Sequence, residues 1–196
     1  MNKFDSYIQS DRLIVRPYEK KDYHNWLTMF TNRLPSQHQY DDGKIDMSIC
    51  SEEWFELLVQ KHQHMALEDK IYVFGIFRKS DGSNVGSIDF STIMRDEYQW
   101  ARFGYTIHNQ FWRNGYGSEA VKASLQLAFT SLNYYRIEAH INLDNEASKK
   151  LAEKVGLQFE CVRKRFIYEN EMWTDHLVYV INRQEFSQQK SNVKNF

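Results

Sequence analysis

The chain has 196 residues, of which 42% are apolar and 15% aromatic, and this is enough to bury one core. We predict a single domain over residues 1–186 and a polar tail over residues 187–196. The net charge of −1, with acidic and basic residues interspersed, predicts neither a nucleic acid nor a membrane as a partner. No apolar run is long enough to span a membrane and no signal peptide is evident, so we expect a cytoplasmic protein.

The first third of the chain predicts one strand and two helices. Polar and apolar side chains alternate over residues 12–16 and end at Pro17, which is typical of a strand. Apolar residues at helical spacing predict a helix over residues 22–34, and a second helix over residues 51–64 begins at a predicted N-cap, Ser51. The polar segment between these helices is long enough to be functional.

From residue 71 the pattern becomes that of an antiparallel sheet. Strands are predicted over residues 71–78, 84–92 and 99–108, and together they form a meander. A glycine-rich turn, a helix and a strand over residues 135–141 follow, and this strand runs parallel to the strand before the helix. A helix over residues 145–155 and a hairpin of residues 159–168 and 173–182 complete an α+β order.

The glycine-rich turn is the most informative segment. Residues 112–120 read Trp-Arg-Asn-Gly-Tyr-Gly-Ser-Glu-Ala, and they connect a strand directly to an amphipathic helix. Glycine lets the backbone approach an anion without a Cβ in the way, and the first turn of a helix supplies free N–H groups and a positive dipole end. The segment therefore predicts a site for a phosphorylated ligand.

Five segments, in this order, resemble the GNAT superfamily of N-acetyltransferases, and in particular its RimJ/RimL-like branch, which includes the ribosomal-protein alanine acetyltransferases. They are SDRLIVR at residues 10–16, FGY at 103–105, FWRNGYGSEA at 111–120, NEAS at 145–148 with LAEKVGL at 151–157, and the set Trp173, Asp175 and Tyr179. The family usually has Gln or Arg where Trp112 stands, although this branch often carries Trp, and Arg113 replaces a common Gly. That replacement makes the turn less permissive without removing its amide donors.

The resemblance implies the GNAT fold: a mixed, mostly antiparallel sheet of about seven strands, splayed between the fourth and fifth strands and flanked by about four helices. It also implies acetyl-CoA as the co-substrate and no metal. A pantetheine arm carries two amides and can fill the gap between splayed strands as an added strand would. The implied cofactor-binding residues are Tyr105, Thr106 and Ile107 on the strand edge, Trp112, Arg113, Asn114, Gly115, Tyr116, Gly117 and Ser118 in the turn, and Asn145 with Ser148.

Amine acetylation needs a route for the ammonium proton and a way to stabilise the departing thiolate. The resemblance implies that Glu160 takes the proton through water; the alternative is a solvated strand carboxylate. Glu138 and Asp89, on neighbouring strands, are second choices; alternatively, Glu138 is a half-buried partner of an arginine such as Arg136 or Arg102. Ser148 is implied near the sulfur, with Asn145 on the pantetheine or acyl group; alternatively, Asn145 simply caps a helix.

Tyr179 is a candidate proton donor beside the thiol, or else a hydrogen-bonded core tyrosine. The histidines and the two cysteines lie at no ligand spacing that indicates a metal site, and none is predicted.

Two other functions fit part of the pattern. Residues 115–120 also satisfy a dinucleotide fingerprint, with Glu138 at about the right distance to bind a ribose. The glycines nevertheless follow an antiparallel meander, and too few elements remain after Glu138 for the further parallel strands of a dinucleotide-binding oxidoreductase. A non-catalytic acyl-CoA sensor on the same fold is the other alternative.

The acceptor amine is left open among a protein N-terminal α-amine, which the resemblance favours, a polyamine and a small amino compound. We expect residues 34–51 and the hairpin turn at residues 169–172 to wall the acceptor site. Their carboxylates would attract a cationic amine or form an ordinary solvated acidic loop: Asp41, Asp42, Asp46, Glu169 and Glu171. The protein is expected to be a monomer or a homodimer.

Overall fold

The computed structural model describes residues 3–193, with side chains through residue 189. Its eight strands form one mixed sheet in the order β1-β2-β3-β4-β5-β6-β8-β7. The strands are β1 (Ile8–Gln9), β2 (Leu13–Arg16), β3 (Ile71–Arg78), β4 (Asn84–Met94), β5 (Trp100–Ile107), β6 (Arg136–Asn142), β7 (Gln158–Glu169) and β8 (Met172–Asn182). The α-helices are α1 (Tyr23–Thr31), α2 (Glu52–Leu67), α3 (Tyr116–Thr130), α4 (Glu146–Lys154) and α5 (Arg183–Val193).

The parallel pair of strands is β5 with β6, joined through α3. Its register is Trp100 with Arg136, Ala101 with Ile137 and Arg102 with Glu138. These pairs lie in the first half of each strand, whereas β5 continues to Ile107 and β6 to Asn142. The neighbouring pairs β3–β4 and β6–β8 are antiparallel, as the predicted fold class requires.

The chain divides into two compact units. The first runs through Ser91 and resumes over Gly104–Leu127, and the second comprises Thr92–Phe103 and the described chain from Ala128 onward. A cluster of aromatic and aliphatic side chains, in which Trp26 and Phe55 are 6% and 1% exposed, buries α1 and α2 in the first unit. In the second unit Ile137 and Ile181 are fully buried on paired strands. Apolar burial of this kind is the main stabilising contribution to each unit.

The predicted α+β fold is confirmed, with two differences in its elements. The sheet has eight strands rather than about seven, because Ile8–Gln9 pairs antiparallel with β2. A fifth helix, α5, takes up residues 183–193, most of which the sequence predicts as a polar tail. The helix forms because Phe186 is buried, with its ring centroid 5.3 Å from that of Phe129. The rest of the predicted tail, residues 194–196, lies outside the described residues.

In residues 3–193 no helix combines the length and the apolar character needed to cross a membrane.

Candidate functional site

The glycine-rich turn lies between a short 3-10 turn, Asn109–Phe111, and the first residue of α3. Arg113 and Gly115 both have left-handed backbones, with φ of +62° and +78°. The Asn114 side-chain amide donates to the carbonyl oxygens of Phe111 and Trp112 at 3.1 and 3.0 Å, which fixes the turn from inside. The chain therefore reverses directly into a helix N-terminus, where backbone N–H groups can bind an anion.

A cluster of polar and charged side chains from the β1–β2 connection and α3 braces the outside of this turn. The Arg12 guanidinium donates to the carbonyl oxygen of Asn114 at 3.0 Å and to the Glu119 carboxylate at 2.7 Å. Ser10 donates to the same carboxylate at 2.8 Å. Burial would raise the pKa of Glu119, but the hydrogen bonds from Arg12 and Ser10 outweigh it and lower the pKa. Glu119 therefore stays ionised, and the position of the turn depends on a contact between distant parts of the chain.

Sequence reasoning assigned Arg12 and Glu119 no role, although both lie in segments that carry the family resemblance. The available signal was an acidic side chain in the first turn of a helix that is expected to bind an anion. Such a carboxylate opposes anion binding unless a cation neutralises it. Arg12 is that cation.

The predicted pantetheine edge, Tyr105 to Ile107, is the last part of β5. An added Cβ on Gly86 of β4 would overlap the carbonyl oxygen of Thr106 and lie 3.0 Å from Cα of Ile107. Trp112 ties the turn to this edge, since its indole N–H donates to the carbonyl oxygen of Ile107 at 2.7 Å. The strand edge and the glycine-rich turn, which we call the phosphate turn after its predicted ligand, are thus fixed to each other within the first unit.

In the second unit Asn145 is the N-cap of α4, and its side-chain oxygen accepts the backbone N–H of Ser148 at 3.1 Å. The predicted capping role is confirmed. A helix N-terminus can hold a cap and a ligand together, so contacts of these two residues with a coenzyme stay a prediction.

Glu138 and Glu160, the two candidate bases, share one arginine. The Arg136 guanidinium lies 2.7 Å from Glu138 and 2.6 Å from Glu160. Glu138 has no exposed side-chain surface and is also paired with Arg163 at 3.1 Å and with His140 at 3.0 Å. Burial would raise the pKa of Glu138, but His140, Arg136 and the charge of Arg163 outweigh it and lower the pKa. The predicted arginine pairing of Glu138 is confirmed, with Arg136 as a partner.

The two carboxylates differ in their exposure to solvent. A buried carboxylate with a lowered pKa is a weak proton acceptor, because its charged form is already stabilised. The Glu160 side chain is 42% exposed, so water can reach it. Glu160 is therefore the better placed of the two to receive a proton through water.

Tyr179 on β8 is 3% exposed, and its hydroxyl donates to the Glu153 carboxylate at 2.9 Å. Burial and this hydrogen bond raise the pKa of Tyr179. The hydrogen-bonded core tyrosine is confirmed. A role as proton donor to the thiol stays a prediction, and it would require the phenol to leave Glu153.

Asp41 differs from the expectation that it would attract an amine or lie in a solvated loop. Its side chain has no exposed surface and accepts hydrogen bonds from Arg33, at 3.0 Å, and from Asn109, also at 3.0 Å. Asp42 and Asp46 are exposed, as expected. A ligand can therefore reach fewer carboxylates in this loop than the sequence indicates.

The predicted site residues fall into two groups. Those at residues 105–118 belong to the first unit, and Glu138, Asn145, Ser148, Glu160 and Tyr179 belong to the second. Within the described chain, no group of three or more His, Cys, Asp and Glu side chains is arranged to hold a metal ion.

The comparisons with known proteins agree on one family. The acetyltransferase (GNAT) domain family matches residues 12–158. An uncharacterized N-acetyltransferase of Bacillus subtilis, YoaA, is 29% identical over 89% of this chain and 95% of its own length. The ribosomal protein uS5-alanine N-acetyltransferase of Escherichia coli is 19% identical over 92% of each chain.

A solved structure shows the same fold. RimJ of Mycobacterium smegmatis, in complex with CoA-disulfide, superposes with a TM-score of 0.74 at 20% sequence identity, over 92% of this chain and 88% of that one. The predicted strand, helix and turn order is therefore that of a known acetyltransferase fold.

Proposed function

Because the chain belongs to the GNAT family and is an acetyl-CoA-dependent N-acetyltransferase, we propose that it acetylates a protein N-terminal α-amine by direct attack in a ternary complex. The observation that carries the cofactor part is the braced glycine turn at the start of α3, with Arg113 and Gly115 in left-handed backbone. Its amides, from Arg113 to Ser118, would bind the diphosphate of acetyl-CoA. The catalytic unit in this proposal is a single domain over residues 1–186.

The remaining cofactor contacts follow the chain. The backbone of Tyr105, Thr106 and Ile107 would pair with the pantetheine amides as a strand edge pairs with an added strand. Asn145 would bind the pantetheine or acyl group, and Ser148 would lie near the sulfur. A thioester held in this way presents its carbonyl carbon to an incoming amine.

The chemical step has two proton transfers. Glu160 would accept the ammonium proton through a water molecule, which leaves a neutral amine to attack the thioester carbonyl. The tetrahedral adduct then expels the thiolate as the C–S bond breaks. The former amine nitrogen gives up its extra proton, and the hydroxyl of Ser148 would stabilise the thiolate and relay this proton to it. The products are the acetylated amine and CoA. No metal takes part in this proposal.

The loop between α1 and α2 supports a peptide rather than a polyamine as the acceptor. Its carboxylates Asp42 and Asp46 are exposed, whereas Asp41 is buried. The same loop exposes Ile45 and Ile49, which are 41% and 75% exposed. A polyamine is bound best by several carboxylates, whereas a peptide N-terminus offers one ammonium group and neighbouring side chains that can cover apolar surface.

The test combines calorimetry with an acceptor screen. Acetyl-CoA is titrated into the protein, and thiol release is then followed with free N-terminal peptides, N-terminally blocked peptides that contain lysine, spermidine and small aminated compounds. Turnover with free N-terminal peptides supports the proposal. Turnover with spermidine or small amines alone overturns the proposal that the acceptor is a protein N-terminus. Acetyl-CoA binding without any turnover supports the acyl-CoA sensor instead.

A cytoplasmic location, and a monomer or homodimer as the assembly, stay predictions from the sequence.

A further inference from the structure

A buried ion pair closes the segment that follows α1, residues 33–43, which we call the clasped loop. The side chains of Arg33 and Asp41 are 3% and 0% exposed, and Arg33 Nη2 lies 3.0 Å from Asp41 Oδ1. The Asp41 carboxylate also accepts the backbone N–H of Gln37 at 2.9 Å and that of Gly43 at 3.0 Å. Burial alone would raise the pKa of Asp41, but these hydrogen bonds outweigh it and lower the pKa. These contacts hold the loop closed, because a buried charge is tolerated only with its partners in place.

Asn109 connects the clasped loop to the phosphate turn. Its side-chain oxygen accepts the Leu34 N–H at 2.7 Å, and its side-chain nitrogen donates to the Leu34 carbonyl oxygen at 2.8 Å. The same nitrogen lies 3.0 Å from Asp41 Oδ2. Asn109 is 3% exposed and lies three residues before Trp112. One amide side chain therefore bonds both the backbone and the buried carboxylate of the clasped loop.

A second connection lies on the surface. The His38 ring stacks on the Trp112 indole with a centroid distance of 5.2 Å and an interplanar angle of 17°. The backbone N–H of Tyr40 donates to Nδ1 of His38 at 3.2 Å, which orients the ring. Trp112 belongs to the turn proposed to bind the diphosphate, so the clasped loop contacts that turn directly.

We propose that Asn109 and His38 are positioning residues that couple coenzyme binding at the phosphate turn to the conformation of the clasped loop, and through it to acceptor binding. The inference rests on the proposed function, in which this loop lines the acceptor site. Diphosphate binding fixes the turn at residues 113–118. Because Asn109 and Trp112 contact residues 33–43, fixing the turn also restricts the motion of that segment. Coupling of this kind is reciprocal, so an acceptor that orders the loop tightens acetyl-CoA binding by the same factor.

The experiment measures amide hydrogen exchange in the full-length protein, with and without saturating CoA, over peptides that cover residues 33–43. In the wild type we expect CoA to slow exchange in this segment by about fivefold or more, the lower end of typical coupling factors. His38→Ala removes an exposed ring and should lose most of the coenzyme-dependent protection, with a loss of CoA affinity no larger than the coupling factor. His64→Ala, an exposed histidine on α2, is the matched control and should behave as the wild type.

Asn109→Ala provides the second variant, and its thermal midpoint reports any general loss of stability. A purely structural role would raise exchange equally with and without CoA, whereas a positioning role reduces the difference between the two states. Loss of that difference in both variants supports the proposal.

Three results would overturn it. CoA binding to the wild type without slower exchange in residues 33–43 overturns the coupling while leaving the proposed function intact. Unchanged coenzyme-dependent protection in both His38→Ala and Asn109→Ala excludes these two residues as the connection. Absence of any CoA binding, measured by calorimetry, removes the proposed function and this inference together.

Discussion

Gly86→Ala tests whether the exact course of β5 determines coenzyme binding. Gly86 lies on β4, and a Cβ placed there would overlap the Thr106 carbonyl oxygen and lie 3.0 Å from Cα of Ile107. Both neighbours are backbone atoms of the edge proposed to pair with pantetheine. Since no side chain can rotate out of the way, the added methyl group must displace the backbone of β5 itself.

The expected size of the effect follows from this overlap. Relieving it needs a movement of about 1 Å, which would lengthen the backbone hydrogen bonds to the pantetheine amides beyond their usual range, at a cost of about 0.5–1.5 kcal/mol in binding free energy for each bond lost. The free energy of unfolding should fall by about 1–3 kcal/mol, the usual range for an overpacked site. A domain of this size tolerates such a loss and still folds. We therefore expect a folded variant with much weaker acetyl-CoA binding.

Gly104→Ala is the matched control on β5. A Cβ on Gly104 would meet the Asp89 carboxylate, whose oxygen lies 2.5 Å away, and this side-chain end can turn aside. Its acetyl-CoA dissociation constant should stay within about twofold of the wild-type value. Calorimetric titration with acetyl-CoA and urea unfolding of both variants measure the two effects. Wild-type affinity in Gly86→Ala would refute the reasoning, as would equal losses in the two variants.

Three further predictions concern the site and its support. Ser148→Ala should lower kcat by about 100-fold with little change in acetyl-CoA affinity, whereas Gly115→Val should chiefly weaken acetyl-CoA binding, because φ of +78° costs a β-branched residue about 1–2 kcal/mol. Steady-state kinetics and calorimetry measure the two effects separately, and equal effects in both variants would contradict the roles proposed for Ser148 and Gly115. Glu138→Gln should lower the free energy of unfolding by about 1 kcal/mol, because Arg136 and Arg163, whose side chains are 25% and 28% exposed, lose the charge of a buried partner but stay partly solvated; an unchanged urea midpoint would exclude this role. Burial lowers the pKa of His108 to about 4, so the unfolded chain binds the extra proton as pH falls from about 6.5 to about 4, and stability should drop by about 3 kcal/mol over that range. Urea unfolding at several pH values, compared with His108→Gln, measures this contribution, and an identical acid loss in the variant would rule it out.

Local patterns in the chain predicted most of the elements. Residues 71–78 form the predicted strand, and the glycine turn opens a helix at Tyr116 as its composition indicates. Asn145 caps α4, a property of residues within a few positions of one another. Periodicity, caps and turn residues act over short distances, and this is why the sequence alone determined them.

The fifth helix shows where local pattern is insufficient. Residues 187–193 are polar and predict a tail, but they belong to a helix that begins at Arg183, and Phe186 of this helix packs against Phe129, far away in the chain. Helices in proteins are stabilised mainly by tertiary packing, so a single buried aromatic side chain can decide whether a polar segment is a helix.

The charges of the candidate site were decided by tertiary structure. Asp41 reads as an exposed loop acid, yet its carboxylate is buried with Arg33 and Asn109, the latter 68 residues away. The sequence favours Glu160 over Glu138 only through the family resemblance, whereas in the structure both bind Arg136 and only Glu160 is exposed to water. The sequence determined which chemical groups are present and which segments carry them. Burial and long-range pairing, which set whether each group is ionised and accessible, exist only once the chain has folded.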